Sequence, residues 1–203
     1  MANEKESYNI YICGVGGQGI IKTSVVLGEA AMDEGYEVVL SEIHGMSQRG
    51  GVVSTELKIG SYKSTVIEES KADVLLAFEP IEAVRGLNKA NNNTNIVFNT
   101  SPIKPSTLHQ SNQSYPDTSR IIATLKDNYK NVFPIEGEKL ANDAGNILSL
   151  NMVLVGSAIA NDTFPLSKKA VINAMNNNFN DRFHDTNLKA FENGYEAVKK
   201  SIN

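Results

Sequence analysis

Gly14-Val15-Gly16-Gly17-Gln18-Gly19 lies between an apolar stretch, Tyr8 to Cys13, and a segment from Gly17 to Glu34 with helical periodicity. Glycines spaced G-x-G-x-x-G at such a junction permit a tight turn and a close approach of ligand to backbone. They also expose amide donors at the positive end of a helix. A phosphate-cradling loop of the NTPase kind is excluded, because Ile20 follows Gly19 and Lys22-Thr23 come two residues late. Two readings of the glycines stay open on this segment alone. Either they cradle a dinucleotide, with Glu42 at the end of the second strand gripping a ribose, or they only let the helix pack close to the sheet.

The rest of the first half repeats the strand–helix alternation. Ile21, Val25, Gly28 and Met32 form one stripe of the first helix, and Gly35 is placed to end it in a left-handed cap. Glu37 to Glu42 reads as a second strand. In Val52 to Ile59, Val53, Thr55, Leu57 and Ile59 alternate with Ser54, Glu56 and Lys58, which predicts a strand with one solvated face. Ala72 to Phe78 reads as a buried strand and Asn95 to Asn99 as a further strand, with a helix starting near Pro80 between them. Thr100 to Ser119, rich in proline, serine and asparagine, reads as a surface excursion. A short helix to Asp127 and a strand from Asn131 to Ile135 follow. Beyond Glu138 the pattern is helical: Ile147 to Ala160, Lys168 to Asn178 and Asn187 to Lys200.

This order predicts an α/β fold: a three-layer α/β/α, doubly wound, Rossmann-like sheet, mostly parallel but mixed through its hairpin-like third strand. One domain over residues 1–203 is expected, with the core sheet at about 8–135 and a helical C-terminal part at about 136–203.

Charge and cysteine content narrow the function. The net charge of −4 offers no basic face for nucleic acid. A single cysteine, Cys13, allows neither an internal disulfide nor a cysteine-built zinc or iron–sulfur site, and at a strand end it reads as a small buried hydrophobe. Met1 to Ser7 is polar, and the longest apolar run, Ile147 to Ala160, is too short to span a bilayer. A soluble cytoplasmic protein, bound to neither nucleic acid nor membrane, is the expectation. His109 and His184 lack metal-ligand spacing, so no metal site is expected. Glu68-Glu69 reads as a solvated loop face.

A second loop, Ser41-Glu42-Ile43-His44-Gly45-Met46-Ser47-Gln48-Arg49-Gly50-Gly51, follows the second strand at the same sheet edge as the glycine loop. His44, Gln48 and Arg49 bring donors, and the glycines admit a close backbone approach. A solvated turn with Arg49 in a salt bridge is the plain alternative. Taken with Gly14 to Gly19, this loop resembles the gamma component of 2-oxoacid:ferredoxin oxidoreductases. Its H-G-M-x-Q-R-G-G string looks like that of indolepyruvate oxidoreductase beta subunits, and Gly145-Asn146 and Asn151 to Gly156 are similar too.

The resemblance implies a chain that works inside a complex. Such enzymes decarboxylate a 2-oxoacid on thiamine diphosphate, pass electrons through iron–sulfur clusters to ferredoxin, and hand the acyl group to coenzyme A. This chain has no G-D-G segment for the magnesium of thiamine diphosphate, and one cysteine cannot hold a cluster. The resemblance therefore places those cofactors in a larger partner subunit, with ferredoxin an indirect partner. It leaves this chain, inactive alone, to cover the active site and help bind coenzyme A. The expected contacts are Gly14, Gly16, Gly17, Gln18 and Gly19 through the backbone, Arg49 as the charge, and His44 and Gln48 as orienting donors. No catalytic acid or nucleophile is expected here. An independent NAD-dependent oxidoreductase and a nucleotide-sensing module are the alternatives.

Overall fold

A computed structural model describes residues 7–45, 50–60, 64–104 and 114–202. Its centre is a six-stranded sheet of order β2-β3-β1-β4-β5-β6. The strands are β1 (Tyr8–Val15), β2 (Val38–His44), β3 (Val52–Ile59), β4 (Val74–Ala77), β5 (Asn95–Asn99) and β6 (Asn131–Ile135). β1, β4, β5 and β6 run parallel, while β3 is antiparallel to both β1 and β2. The sheet is mixed, as the hairpin-like third strand predicts.

Helices cover both faces. On one lie α1 (Ile20–Asp33), α4 (Gly137–Ala144), α5 (Leu150–Ile159), α6 (Lys168–Asn178) and α7 (His184–Ile202), packed on Ile10, Ile12, Leu57, Val74, Leu76 and Val97. On the other, α2 (Pro80–Arg85) and α3 (Thr118–Asn128) pack on Leu75, Ala77, Ile96 and Phe98. α5 is buried on every side, so apart from Asn151 and Ser157 its sequence is apolar all round rather than striped. It meets α7 backbone to backbone. A Cβ on Gly194 would come 2.7 Å from the Val153 carbonyl carbon and 2.9 Å from Ser157 Oγ.

Two sequence expectations are corrected. The α1 stripe of Ile21, Val25, Gly28 and Met32 is not the buried face, since Ile21 and Met32 are 38% and 56% exposed. Thr23, Ser24, Leu27, Ala30 and Ala31 face inward with Gly28, because small residues let the helix lie close to Val38 and Leu57. Nor has β3 a solvated face: Ser54, Glu56 and Lys58 are all buried. Glu56 pairs with Lys89 at 3.0 Å and accepts the Ile67 N–H, and Lys58 Nζ reaches the Val66 carbonyl at 3.5 Å. The chain around Val66 and Ile67 covers that face, and its partners neutralise the polar row.

Candidate functional site

The parallel strands end at one edge of the sheet, where open α/β folds hold ligands. The glycine loop is there. β1 passes to α1 through Gly17 and Gly19, whose φ angles of +105° and +86° suit glycine alone. α1 starts with no side-chain cap and no acidic residue in its first turn. Gly17 is exposed, and a Cβ on it would meet nothing within 4 Å. The positive end of the α1 dipole is therefore compatible with an outside anion.

The expected loop residues take different parts. Gly14 lies inside β1, where a Cβ would come within 2.7 Å of both Gln18 Oε1 and Phe78 Cβ, so its smallness serves packing. Gly16 already donates its N–H to the Gly51 carbonyl at 2.8 Å. The Gln18 side chain turns inward, accepting from the Val15 N–H at 2.7 Å and donating to the Phe78 carbonyl at 2.9 Å. Among the described residues the Gly17 and Gly19 amides have no hydrogen-bond partner. Gly19 is roofed by Asn151 of α5, whose Nδ2 lies 3.0 Å from where a Cβ would stand. Gly17 is thus the open position of the loop.

The second loop leaves and re-enters the sheet at this edge. His44 ends β2 opposite Val53, and Val52 begins β3 opposite Val15 at the end of β1. The Gly45 N–H donates to the Val52 carbonyl at 3.0 Å, and the Gly16–Gly51 bond ties the two loops together. Gln48 and Arg49 lie outside the described residues. The placement of β3 also bears on Glu42. In a dinucleotide-binding fold the second strand borders the first, but here β3 stands between them, doubling the separation to about 10 Å. That order removes the geometric basis for Glu42 as a ribose grip.

Two polar residues of this edge escaped the sequence reading. Glu79, 2% exposed, caps α2 by accepting from the Ile81 and Glu82 N–H groups at 2.7 and 3.2 Å. Its other oxygen accepts from the Ile103 N–H at 3.2 Å and from the Tyr115 hydroxyl, which fastens both ends of the excursion after β5. Burial and the Glu79 carboxylate raise the Tyr115 pKa, which keeps it a donor. Asn99, at the end of β5, donates to the Phe78 carbonyl at 3.3 Å and accepts the Gly137 N–H at 3.1 Å. Legible signals were an acidic residue directly before Pro80 and an asparagine closing a buried strand.

Cys13 is buried and donates its thiol to the Glu82 carbonyl at 3.3 Å, with burial and the Glu82 and Glu79 charges pushing its pKa well up. Such a thiol is inert. His184 Nε2 lies 2.9 Å from the Phe179 carbonyl, His109 falls outside the described residues, and Glu68 and Glu69 are exposed. No group of three or more His, Cys, Asp or Glu among the described residues could hold a metal ion. No described helix is long and apolar enough to cross a membrane.

Comparison with known proteins places this arrangement. The chain is 49% identical over 195 residues to the indolepyruvate oxidoreductase subunit IorB of Methanothermobacter thermautotrophicus, covering 96% of this chain and 100% of that one. It is 37% identical over 200 residues to the subunit of the same name from Pyrococcus horikoshii, covering 98% and 99%. The crystal structure of the keto/oxoacid ferredoxin oxidoreductase gamma subunit from Geobacter sulfurreducens superimposes with a TM-score of 0.69 at 25% identity, over 94% of this chain and 98% of that one. The family described as pyruvate ferredoxin/flavodoxin oxidoreductase matches residues 9–197, and the chain belongs to it.

Proposed function

We propose that this chain is the subunit without cofactors of a cytoplasmic 2-oxoacid:ferredoxin oxidoreductase that acts on indolepyruvate or a similar aryl 2-oxoacid. It covers the active site of a larger subunit and helps bind coenzyme A. One observation carries the reading: the likeness to an indolepyruvate oxidoreductase subunit extends over that protein's whole length at 49% identity.

The chain's own groups suit the part assigned to them. Coenzyme A is polyanionic at its phosphates, and the exposed Gly17 backbone leads into a helix N-terminus with no competing carboxylate in its first turn. Arg49, two residues before the Gly51 carbonyl that holds Gly16, is the proposed charged contact, with His44 and Gln48 orienting the ligand. The thiamine diphosphate, its magnesium and the iron–sulfur clusters of the partner supply the carbanion and electron-transfer chemistry. This chain binds and orients, and it shields the site from water.

The test is reconstitution with the larger subunit under anaerobic conditions. The pair should reduce ferredoxin with indolepyruvate and coenzyme A, while this chain alone is colourless and inactive. In an Arg49→Ala complex the apparent affinity for coenzyme A should fall about tenfold to a hundredfold, as expected for losing a charge-assisted contact. Single-turnover cluster reduction without coenzyme A should survive. Saturable NADH binding by this chain, or failure to associate with any thiamine-bearing chain, would overturn the proposal.

A further inference from the structure

The glycine loop is held in place by one of its own side chains. Gln18 stands between Gly17 and Gly19, two positive-φ residues, and this double bend carries its carboxamide back over the end of β1. There it closes two hydrogen bonds, from the Val15 N–H at 2.7 Å and to the Phe78 carbonyl at 2.9 Å. Its own N–H donates to the Val15 carbonyl at 3.2 Å. Space for the carboxamide exists only because residue 14 is glycine, since a Cβ there would lie 2.7 Å from Gln18 Oε1. Gly14 and Gln18 are two halves of one device.

The brace continues past Phe78. The same carbonyl accepts from Asn99 Nδ2 at 3.3 Å, and Asn99 Oδ1 takes the Gly137 N–H at 3.1 Å. On the other side Gly16 is bonded to Gly51 at 2.8 Å. Polar contacts therefore run along the carboxyl edge from the start of β3, past the ends of β1, β4 and β5, to the residues after β6. Strand ends leave backbone groups that the ladder does not pair. A carboxamide, with a donor on one side and an acceptor on the other, can satisfy both kinds at once.

We propose that Gln18 is a positioning residue. Its carboxamide, braced through Phe78 and Asn99, fixes the Gly16–Gly19 backbone in the shape that meets an anionic ligand. This rests on the reading of the loop as part of the coenzyme A site. A loop shaped before the ligand arrives loses little freedom on binding, and that pre-organisation is what the brace supplies.

The test is made in the assembled two-subunit enzyme with Gln18→Met, which keeps the length of the side chain and makes neither bond. Amide hydrogen exchange over residues 14–22 should quicken about tenfold while exchange in β4 and β5 is unchanged, and the KM for coenzyme A should rise about tenfold with that for the 2-oxoacid unaltered. Gln18→Glu is the second variant, for use if the first fails to assemble. It keeps an acceptor for Val15 and regains a donor toward Phe78 only when protonated. Loop protection, corrected for the intrinsic pH dependence of exchange, should be low at neutral pH and recover on acidification. Asn99→Asp, which keeps the Gly137 acceptor and loses the donor, should quicken loop exchange by a smaller factor. Loop exchange at the parent rate in Gln18→Met, or in Gln18→Glu at neutral pH, would overturn the proposal. Quickened exchange with an unchanged KM for coenzyme A would uphold the brace and remove coenzyme A from the loop.

Discussion

Replacing Gly194 by alanine sets two effects of opposite sign against each other. In an exposed helix, glycine to alanine stabilises by about 1 kcal/mol. In α7 the new Cβ would lie 2.7 Å from the Val153 carbonyl carbon, closer still to its oxygen, and 2.9 Å from Ser157 Oγ. The obstacle is the backbone of α5, so no rotamer change relieves it and the two helices must part by about 1 Å. A gap of that size forfeits up to half of each atom pair's 0.1–0.2 kcal/mol, which over dozens of pairs is about 2–3 kcal/mol. The Ser157 Oγ bond to the Gly194 carbonyl, 3.1 Å, stretches as well, at about 1 kcal/mol. The net loss is about 2–3 kcal/mol. At about 2–4 °C per kcal/mol for a chain of this size, Tm should fall by about 4–12 °C in thermal denaturation followed by circular dichroism. A Gly194→Ala protein that melts at or above the parent temperature would show that the helices separate at no cost, so that backbone contact does not limit the residue at this position.

Lys89→Met should destabilise by about 3 kcal/mol in urea denaturation, because it leaves the Glu56 carboxylate buried without its cation, and adding Glu56→Gln should recover part of the loss. Gly17→Ala should cost about 1–2 kcal/mol from its φ of +105° alone, since no atom obstructs the methyl; a parent-like midpoint would contradict this. Cys13 should resist maleimide in the native protein and react once it is denatured, as mass spectrometry would record. Burial raises the pKa values of Cys13, Tyr8 and Tyr11 above their ordinary 9.0 and 10.0. The stabilisation from these groups is complete below the ordinary values and is lost as pH climbs from them toward the folded ones, because the unfolded chain then releases protons that the native state keeps. Denaturation midpoints should therefore drop above about pH 9, and a midpoint that rose there would invert the sign.

The parts of the fold that the sequence reveals are those decided locally. β4 and β5 are apolar runs bounded by turn residues, and the glycine loop marks the end of β1. Faces decided by distant chain are not legible. The alternation in β3 is real, but Glu56 is covered by residues around Ile67 and paired with Lys89, which periodicity within Val52 to Ile59 cannot register. In α1 the stripe through Ile21 and Met32 misleads, because the buried face holds Val26, Leu27, Ala30 and Ala31 and the helix comes close to Val38 and Leu57 at Gly28. The candidate site divides in the same way. The glycines announce a bend, whereas the task of Gln18 depends on a carbonyl sixty residues on.

The strand order has a consequence for how the protein is made. β1 is synthesised first, yet its neighbours in the sheet are β3 and β4, and β2, the strand that follows it, never touches it. At about 5–20 residues per second, roughly 2–9 s pass between the emergence of β1 from the ribosome and that of the end of β3. Throughout that interval both of its edges, with Ile10 and Ile12 between them, are open to other nascent chains. The first pairing open to β1 is therefore with a β3 already joined to β2, and until that hairpin docks the edges of β1 have no partner in the sheet.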